Sequence, residues 1–290
     1  MRTILVRKVV IFVFLSLFFV STGSCCPGSV ISEKFIAENL EEYSPYDISL
    51  IKKDLEIIKG LIFRSVVKEK QPIYLATAGG PGSAKSTILE TFLIENQQGK
   101  NYVYIDPDRM VMRFMVNTYI SYLSAYNIAK KRPYSNLLKE AYQKWRGGSN
   151  YISGTLFNKA TRGFFNVAHG STSTSAHIEG LYKRLKKRGY KIILLLCGAD
   201  KRTRLDLINH RRKIQANVQA SKEDIINKGK LFPQRLKTYF KYADRIYIYW
   251  TQTSPIKSIL AAEYSKKKGL VIKDKRSFDL FVRNNGKLPV

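Results

Sequence analysis

Nine consecutive residues, Gly79-Gly80-Pro81-Gly82-Ser83-Ala84-Lys85-Ser86-Thr87, combine glycines, a lysine and three hydroxyls at the spacing of a phosphate-binding loop. Gly79, Gly80 and Gly82 let backbone N–H groups curl around anionic oxygens without Cβ clashes. A helix that starts near Lys85 adds its positive dipole end. Lys85 can reach the β- and γ-phosphates of a nucleoside triphosphate, and Ser86 can ligate Mg²⁺, so the loop implies ATP and Mg²⁺ as cofactors. The spacing fits G-x-x-x-x-G-K-[ST] with one change, Ala84 at the last glycine. Alanine accepts helical φ/ψ, so the expectation is a perturbed loop with Ala84 in a helical conformation.

Three further groups of residues could act beside that loop. Asp106 and Asp108, in Ile105-Asp106-Pro107-Asp108, leave the end of a β-rich run. One carboxylate could hold Mg²⁺ through water while the other accepts a proton from an attacking hydroxyl. The competing reading is a solvated turn in which Asp106 caps the helix. After another β-rich run come His169, Gly170, Ser171 and Thr172, small polar residues suited to lining a substrate pocket. Ser175 offers a helix cap just beyond them. Arg202, Arg204, Arg211, Arg212 and Lys213 follow a fourth run, and one or two of them could neutralise a transferring phosphoryl group.

These groups need a scaffold that brings strand ends together. Short β-rich runs occur at 72–78, 101–106, 164–168, 191–197 and 245–250. Helical spacing occurs at 48–66, 86–94, 109–128, 202–218 and 222–242. Strands separated by helical lengths pair in parallel through right-handed crossovers. The expectation is an α/β, three-layer αβα P-loop NTPase fold with a mostly parallel five-stranded sheet. The domain reading is a leader at 1–26, a helical N-terminal extension at 27–71, the loop-bearing domain at 72–250 and a mixed C-terminal extension at 251–290.

Of 290 residues, 50 are Lys or Arg and 22 are Asp or Glu, a net charge of +28. With only 18 Gly, 9 Pro and 3 Cys, the chain is neither disordered, collagen-like nor a disulfide scaffold. The charge favours anionic surfaces, and without a nucleic-acid module any nucleic-acid contact would be non-specific. Lys183-Arg184 and Lys186-Lys187-Arg188 lie opposite Ile178, Leu181 and Leu185, so they read as a solvated helix face. The acids Glu33, Glu38, Glu41, Glu42 and Asp47 suggest an N-terminal arm folded over basic surface.

Residues 9–20, VVIFVFLSLFFV, follow Arg2, Arg7 and Lys8 and precede Ser21, Thr22, Gly23 and Ser24. That is the layout of a secretory signal peptide. Twelve residues fall short of the ~20 that span a bilayer, although an uncleaved anchor is the alternative. Cys25 and Cys26 lie just beyond, and Thr22 is a poor match to a lipidation site at Cys25. Cys197, in an apolar run, reads as core. The chain is thus expected to be exported or membrane-associated, with a cytoplasmic site of action if it is delivered into another cell or if the start is mis-assigned.

Together the loop, IDPDRM, NVAHGST and LYKRLKKRGYKIILLLCGADKRTRLDLINHRRK resemble the zeta toxin family of P-loop kinases over about residues 70–250. The resemblance implies transfer of the ATP γ-phosphate to a hydroxyl of a nucleotide sugar, UDP-N-acetylglucosamine, and raises an antitoxin protein as a partner. By position it makes Asp108 the catalytic base, Lys85 and Ser86 ligands of phosphate and Mg²⁺, and Arg211 an arginine acting on the phosphates. Asp106, His169, Ser171 and Thr172 would meet the substrate. This chain departs from the family at Ala84, at His169 where Glu is usual, and at Gln219 where a lid arginine is usual. Those departures motivate one alternative, a catalytically weakened nucleotide-binding protein, and the basic surface motivates another, a polynucleotide or adaptor kinase that holds its substrate there.

Overall fold

The computed structural model describes residues 29–96, 101–128, 134–214, 221–253 and 255–290. The leader at 1–26 and Gln219 lie outside them. In chain order the elements are α1 (Glu33–Glu38), α2 (Pro45–Phe63), β1 (Ile73–Ala78), α3 (Lys85–Asn96), β2 (Val103–Ile105), α4 (Ser121–Ile128) and α5 (Tyr134–Arg162). Then follow β3 (Val167–His169), α6 (Ile178–Lys187), β4 (Lys191–Gly198), α7 (Lys201–Ile214), α8 (Lys222–Gln234) and α9 (Leu236–Tyr242). The chain closes with β5 (Arg245–Thr253), β6 (Ile256–Ser265), β7 (Gly269–Ile272) and α10 (Lys275–Asn285). Between β2 and α4 it passes through a π turn at Pro107–Val111, a 3₁₀ turn at Met112–Phe114 and a second π turn at Val116–Ile120.

The sheet has seven strands in the order β2-β3-β1-β4-β5-β6-β7, not the five expected. The first five of that order pair in parallel, and β6 and β7 add antiparallel. The two extra strands come from 251–290, where Lys266, Lys267 and Lys268 in the connecting turn mask the pattern. The third strand begins at Val167 rather than 164, because Phe164 takes a left-handed φ of +57° that a strand cannot continue through.

Both sheet faces are covered, which makes the three layers. Tyr74, Ala76 and Ala78 of β1 join one apolar cluster with α5, α6 and α9. Ile73 and Leu75 point the other way, into a second cluster with Ile88, Leu89 and Phe92 of α3 and with Cys197. All six β1 residues are buried, as a strand sandwiched between helices requires. Cys197 is core, as expected.

The N-terminal helices brace the region beyond β2. Ser44 caps α2 by accepting from the Asp47 amide at 3.1 Å, with Pro45 at the first helical position. Asp54 on α2 is fully buried and accepts from the Asn117 backbone amide at 2.8 Å, the Asn117 side chain at 2.9 Å and the Thr118 hydroxyl at 2.6 Å. These bonds satisfy the buried carboxylate and pin the second π turn. The acidic arm meets α5, through Glu33 with Arg162 and Asp47 with Lys144 at 3.9 Å. Among the described residues no helix is long and apolar enough to cross a membrane.

Candidate active site

In an open parallel sheet, ligands collect beyond the carboxyl ends of the strands where the strand order reverses. Here the phosphate loop leaves β1, the two carboxylates leave β2, His169 to Thr172 leave β3 and Arg204 lies beyond β4. All reach the same sheet edge. The loop is stitched to the segment after β3. The Gly79 amide donates to the Thr172 carbonyl at 3.0 Å, the Thr77 hydroxyl to the Ser171 carbonyl at 2.7 Å, and the Ser173 hydroxyl to the Thr77 carbonyl at 2.7 Å.

Within the loop, the Ser83 hydroxyl and the Lys85 ammonium both donate to the Gly80 carbonyl at 2.8 Å. Gly82 has a φ of +81°, and a Cβ there would run into the Arg204 backbone. Ala84 takes a φ of +58° rather than the helical value expected for it. It occupies the left-handed conformation that glycine adopts without strain. Pro81 and Ser86 are half-buried and Thr87 is exposed, at the mouth of the loop.

The charge at the loop is dense. Burial lowers the Lys85 ammonium to about 8; nearby Arg211 and Lys228 add to the shift, and the Asp106 carboxylate opposes it. Arg211 is itself lowered by burial and then by Arg109. Arg109, which the sequence reading passed over, is held by Glu90 of α3 at 3.1 Å. A cluster of Lys85, Arg211, Arg109 and Lys228 is costly by itself and suits a polyphosphate anion.

The two carboxylates have separate jobs. Asp106 is buried and caps the π turn, its Oδ1 accepting from the Asp108 amide at 3.0 Å and the Arg109 amide at 2.8 Å. Burial raises its carboxyl, and these amides pull the other way. Its Oδ2 lies over Gly170, where any side chain would collide with it. Asp108 stays half-exposed and pairs with Arg146 of α5, while the Tyr142 hydroxyl donates to it at 3.2 Å. Tyr142 and Arg146 had no motif to reveal them; they are one helical turn apart and join Asp108 only through the fold.

His169 is turned toward the core. Its Nδ1 hydrogen-bonds the Tyr74 hydroxyl at 2.8 Å, and the ring sits between those of Tyr74 and Phe157. Burial lowers it to about 4, so it is neutral near neutral pH. The Ser171 hydroxyl accepts from the Ser173 amide at 3.0 Å, and the Thr172 and Thr174 hydroxyls bond each other at 3.1 Å. Ser175 accepts from the His177 amide at 3.2 Å, ahead of α6.

Of the basic residues after β4, Arg202 is almost fully exposed, and Arg204 and Arg211 reach the site. The Arg204 guanidinium lies against Gly80 and Gly229, and its Nη1 donates to the Ile225 carbonyl at 2.7 Å. Its Nε is buried without a partner. Beside it a cavity of about 420 Å³ opens from Gly80 and Gly198 to Gly229, Asn284 and Asn285. Among the described residues no group of three or more His, Cys, Asp and Glu side chains could hold a metal.

A glycine-rich turn between β1 and α3, with strands in this order, defines a P-loop fold of the αβα type. Residues 62–230 match the zeta toxin family model, and the chain belongs to the zeta toxin family. It is similar in structure to a protein of the PezAT chromosomal toxin–antitoxin system of Streptococcus pneumoniae, with 20% identity, 83% of this chain and 89% of the other covered, and a TM-score of 0.56. It is also similar to a chain of the AvrRxo1-ORF1:-ORF2 structure with ATP, with 9% identity, 91% and 81% covered, and a TM-score of 0.57. At such identities the likeness is one of fold. No curated protein matches the chain significantly.

Proposed function

We propose that the protein is an ATP-dependent kinase that transfers the γ-phosphate to a hydroxyl of a small substrate, a nucleotide sugar such as UDP-N-acetylglucosamine. The observation that carries this reading is the meeting of Lys85, Arg211 and Asp106 at the phosphate loop, with Asp108 two residues beyond. ATP would lie with its phosphates over the loop amides and Lys85, and Mg²⁺ would be held by Ser86 and a β2 carboxylate. The metal bound there supplies charge neutralisation on the phosphates. Asp108, half-exposed at the mouth, takes the proton from the substrate hydroxyl as its oxygen bonds to the γ-phosphorus and the bond to the ADP oxygen breaks. Arg211 offsets the charge on the phosphoryl group. Gly170, Ser171 and Thr172 border the substrate side.

The neutral, Tyr74-bound His169 favours a second reading. A neutral imidazole turned into the core cannot do the work of the carboxylate usual there, so the same fold could bind nucleotide with weak transfer. One assay separates the two. Full-length protein, ATP and Mg²⁺ are incubated with UDP-sugars and with nucleic-acid ends, and phosphate transfer is followed by mass spectrometry. Transfer to a UDP-sugar, lost in Lys85→Ala and Asp108→Asn, supports the kinase. Labelling of nucleic-acid ends instead supports the polynucleotide reading. ATP binding that needs Lys85 without any transfer supports the weakened protein.

The PezAT protein belongs to a toxin–antitoxin system, and by that likeness we propose an antitoxin-like partner here. We also propose export or membrane attachment through residues 9–20, tested by fractionation: a product found only in the cytosol of the producing cell would rule it out.

A further inference from the structure

Strands β1, β3 and β4 start level with one another, Tyr74 beside Val167 and Ile73 beside Lys191. Their starts form the pole of the domain opposite the phosphate loop, about 20 Å away along β1. The segment before β1 crosses this pole. Lys68 bridges Phe165, the Glu69 amide donates to the Phe164 carbonyl at 2.9 Å, and the Lys191 amide donates to the Pro72 carbonyl at 2.9 Å. The β6–β7 turn ends at the same level, because Ser265 pairs with Arg245 at the start of β5.

The pole is basic. Lys68, Lys70, Lys187 and Lys191 are exposed on it, and Lys266, Lys267 and Lys268 are exposed in the β6–β7 turn. The acids beside them are engaged: Glu33 with Arg162, Asp244 with Lys186, and Glu69 with the Asn166 carboxamide at 3.4 Å. Two apolar side chains stand among the lysines, Val67 at 59% exposure and Phe164 at 42%. Phe164 also keeps a left-handed φ of +57°, a costly conformation for a bulky residue. Such strain persists where the surroundings fix it, and here it leaves an aromatic ring half in water.

The N-terminal residues reach the domain at the same place. The Arg162 guanidinium, at the end of α5, donates to the Ser29 hydroxyl. Arg184 Nε, in the last turn of α6, donates to the Val30 carbonyl at 2.6 Å. Asn158 bonds the amide and the carbonyl of Ile31, at 2.9 and 2.8 Å. Residues 21–28 alone separate Ser29 from the apolar run at 9–20. Eight residues reach at most about 28 Å, so a surface that takes up the apolar run lies close to the basic pole. A run too short to span a bilayer attaches marginally, and stable attachment takes a second signal.

We propose that the pole around Lys68, Lys191 and Lys267 docks on the anionic headgroups of a lipid bilayer, with Phe164 and Val67 at the interface and the phosphate loop facing away into solution. Each basic residue near such a surface strengthens binding about fivefold. The inference rests on membrane attachment through residues 9–20 and adds the face that meets the bilayer.

Co-sedimentation of the full-length protein tests it, with vesicles of phosphatidylcholine alone or with about one-third phosphatidylglycerol. Phe14→Asp with Phe18→Asp silences the apolar run, so that the folded surface is read alone. This silenced protein is expected to bind the anionic vesicles, to leave them at high salt and to ignore the neutral ones. Adding Lys68→Gln, Lys191→Gln and Lys267→Gln should weaken anionic binding about a hundredfold, with an unchanged thermal midpoint. Lys201→Gln, Arg202→Gln and Arg283→Gln, at the phosphate-loop end and more than a Debye length away, should weaken it no more than about threefold. Equal losses in the two triple variants, or no anionic binding by the silenced protein, would overturn the inference. So would binding of a DNA duplex through the same lysines with anionic vesicles left unbound. Attachment through residues 9–20 is read separately, from the unsilenced protein on neutral vesicles, and its failure there would count against the attachment alone.

Discussion

Lys85 Nζ donates to the carbonyl of Gly80 in its own loop, 2.8 Å away. The lysine that would grip phosphate thus holds the loop closed on itself, in surroundings that lower its proton affinity to about 8. A polyphosphate replaces one neutral acceptor with several charged ones, so nucleotide binding and protonation of Lys85 reinforce each other. Nucleotide affinity should be constant below pH 8 and fall by up to about tenfold per pH unit above it, because binding then takes up a proton. Lys85→Arg, charged throughout, should flatten that slope. Titrations from pH 7 to 9.5 with both proteins check this. The same shift acts on folding with the opposite sign. The unfolded chain holds the proton up to the ordinary lysine value and the native state does not, so unliganded stability should rise as pH climbs from about 8.

Ala84 is the second test, because its left-handed φ and its buried methyl pull in opposite directions. The conformation costs a non-glycine residue roughly 1–2 kcal/mol. Removing the methyl forfeits about 0.8 kcal/mol of burial, and glycine adds unfolded-state entropy of about the same size. Ala84→Gly should therefore shift stability by no more than about 1 kcal/mol in either direction. Ala84→Val, β-branched in the same conformation and in the same packed site, should lose about 2 kcal/mol or more. Chemical denaturation measures both.

The loop and the central strands were legible because their signals are local. A run of Ile, Tyr, Leu and Ala before glycines needs nothing from the rest of the chain. Helix α5 was not legible, although it is long and delivers Tyr142 and Arg146 to Asp108. Its Gly147, Gly148 and Gly154 break the helical pattern in the sequence. In the fold they are places where partners come close: Tyr43 beside Gly147, Ile51 beside Gly148 and Ile36 beside Gly154. Asp106 was read with two roles left open, and it is the buried cap of its turn. Arg204 was legible only as one of five basic candidates after β4, since one arginine among 50 basic residues carries no mark of being half-buried against Gly80 and Gly229.

The pairing of Asp108 with Arg146 should matter to rate more than to stability. Both side chains keep substantial contact with water, and exposed pairs contribute about 0–1 kcal/mol. Arg146→Ala should change the unfolding midpoint very little. On the kinase reading it frees the carboxylate to rotate, and kcat should drop about tenfold or more while KM for ATP holds, as expected when a base loses its orientation. Arg146→Lys keeps the charge but lacks the planar fork and should restore only part of the rate. Steady-state kinetics of the three proteins with the identified acceptor decide it.

His169 gives a prediction that needs no substrate. Its ring is lowered to about 4 by burial against Tyr74 and Phe157, so the folded protein excludes a proton that the unfolded chain accepts below its ordinary value of 6.5. Stability from this group is complete above pH 6.5 and is lost as pH falls toward 4. His169→Phe removes that loss, but it leaves the Tyr74 hydroxyl without its partner at a cost of about 1–3 kcal/mol. The variant should melt below wild type at pH 7.5, and the gap should narrow as pH falls from 6.5 to 4.5. A gap that stays constant over that range would show that His169 does not hold its neutral form against the core. His169→Glu, which places the family's usual carboxylate there, should melt lower still at pH 7.5. A charged carboxylate between two aromatic rings is costlier than an unpaired hydroxyl.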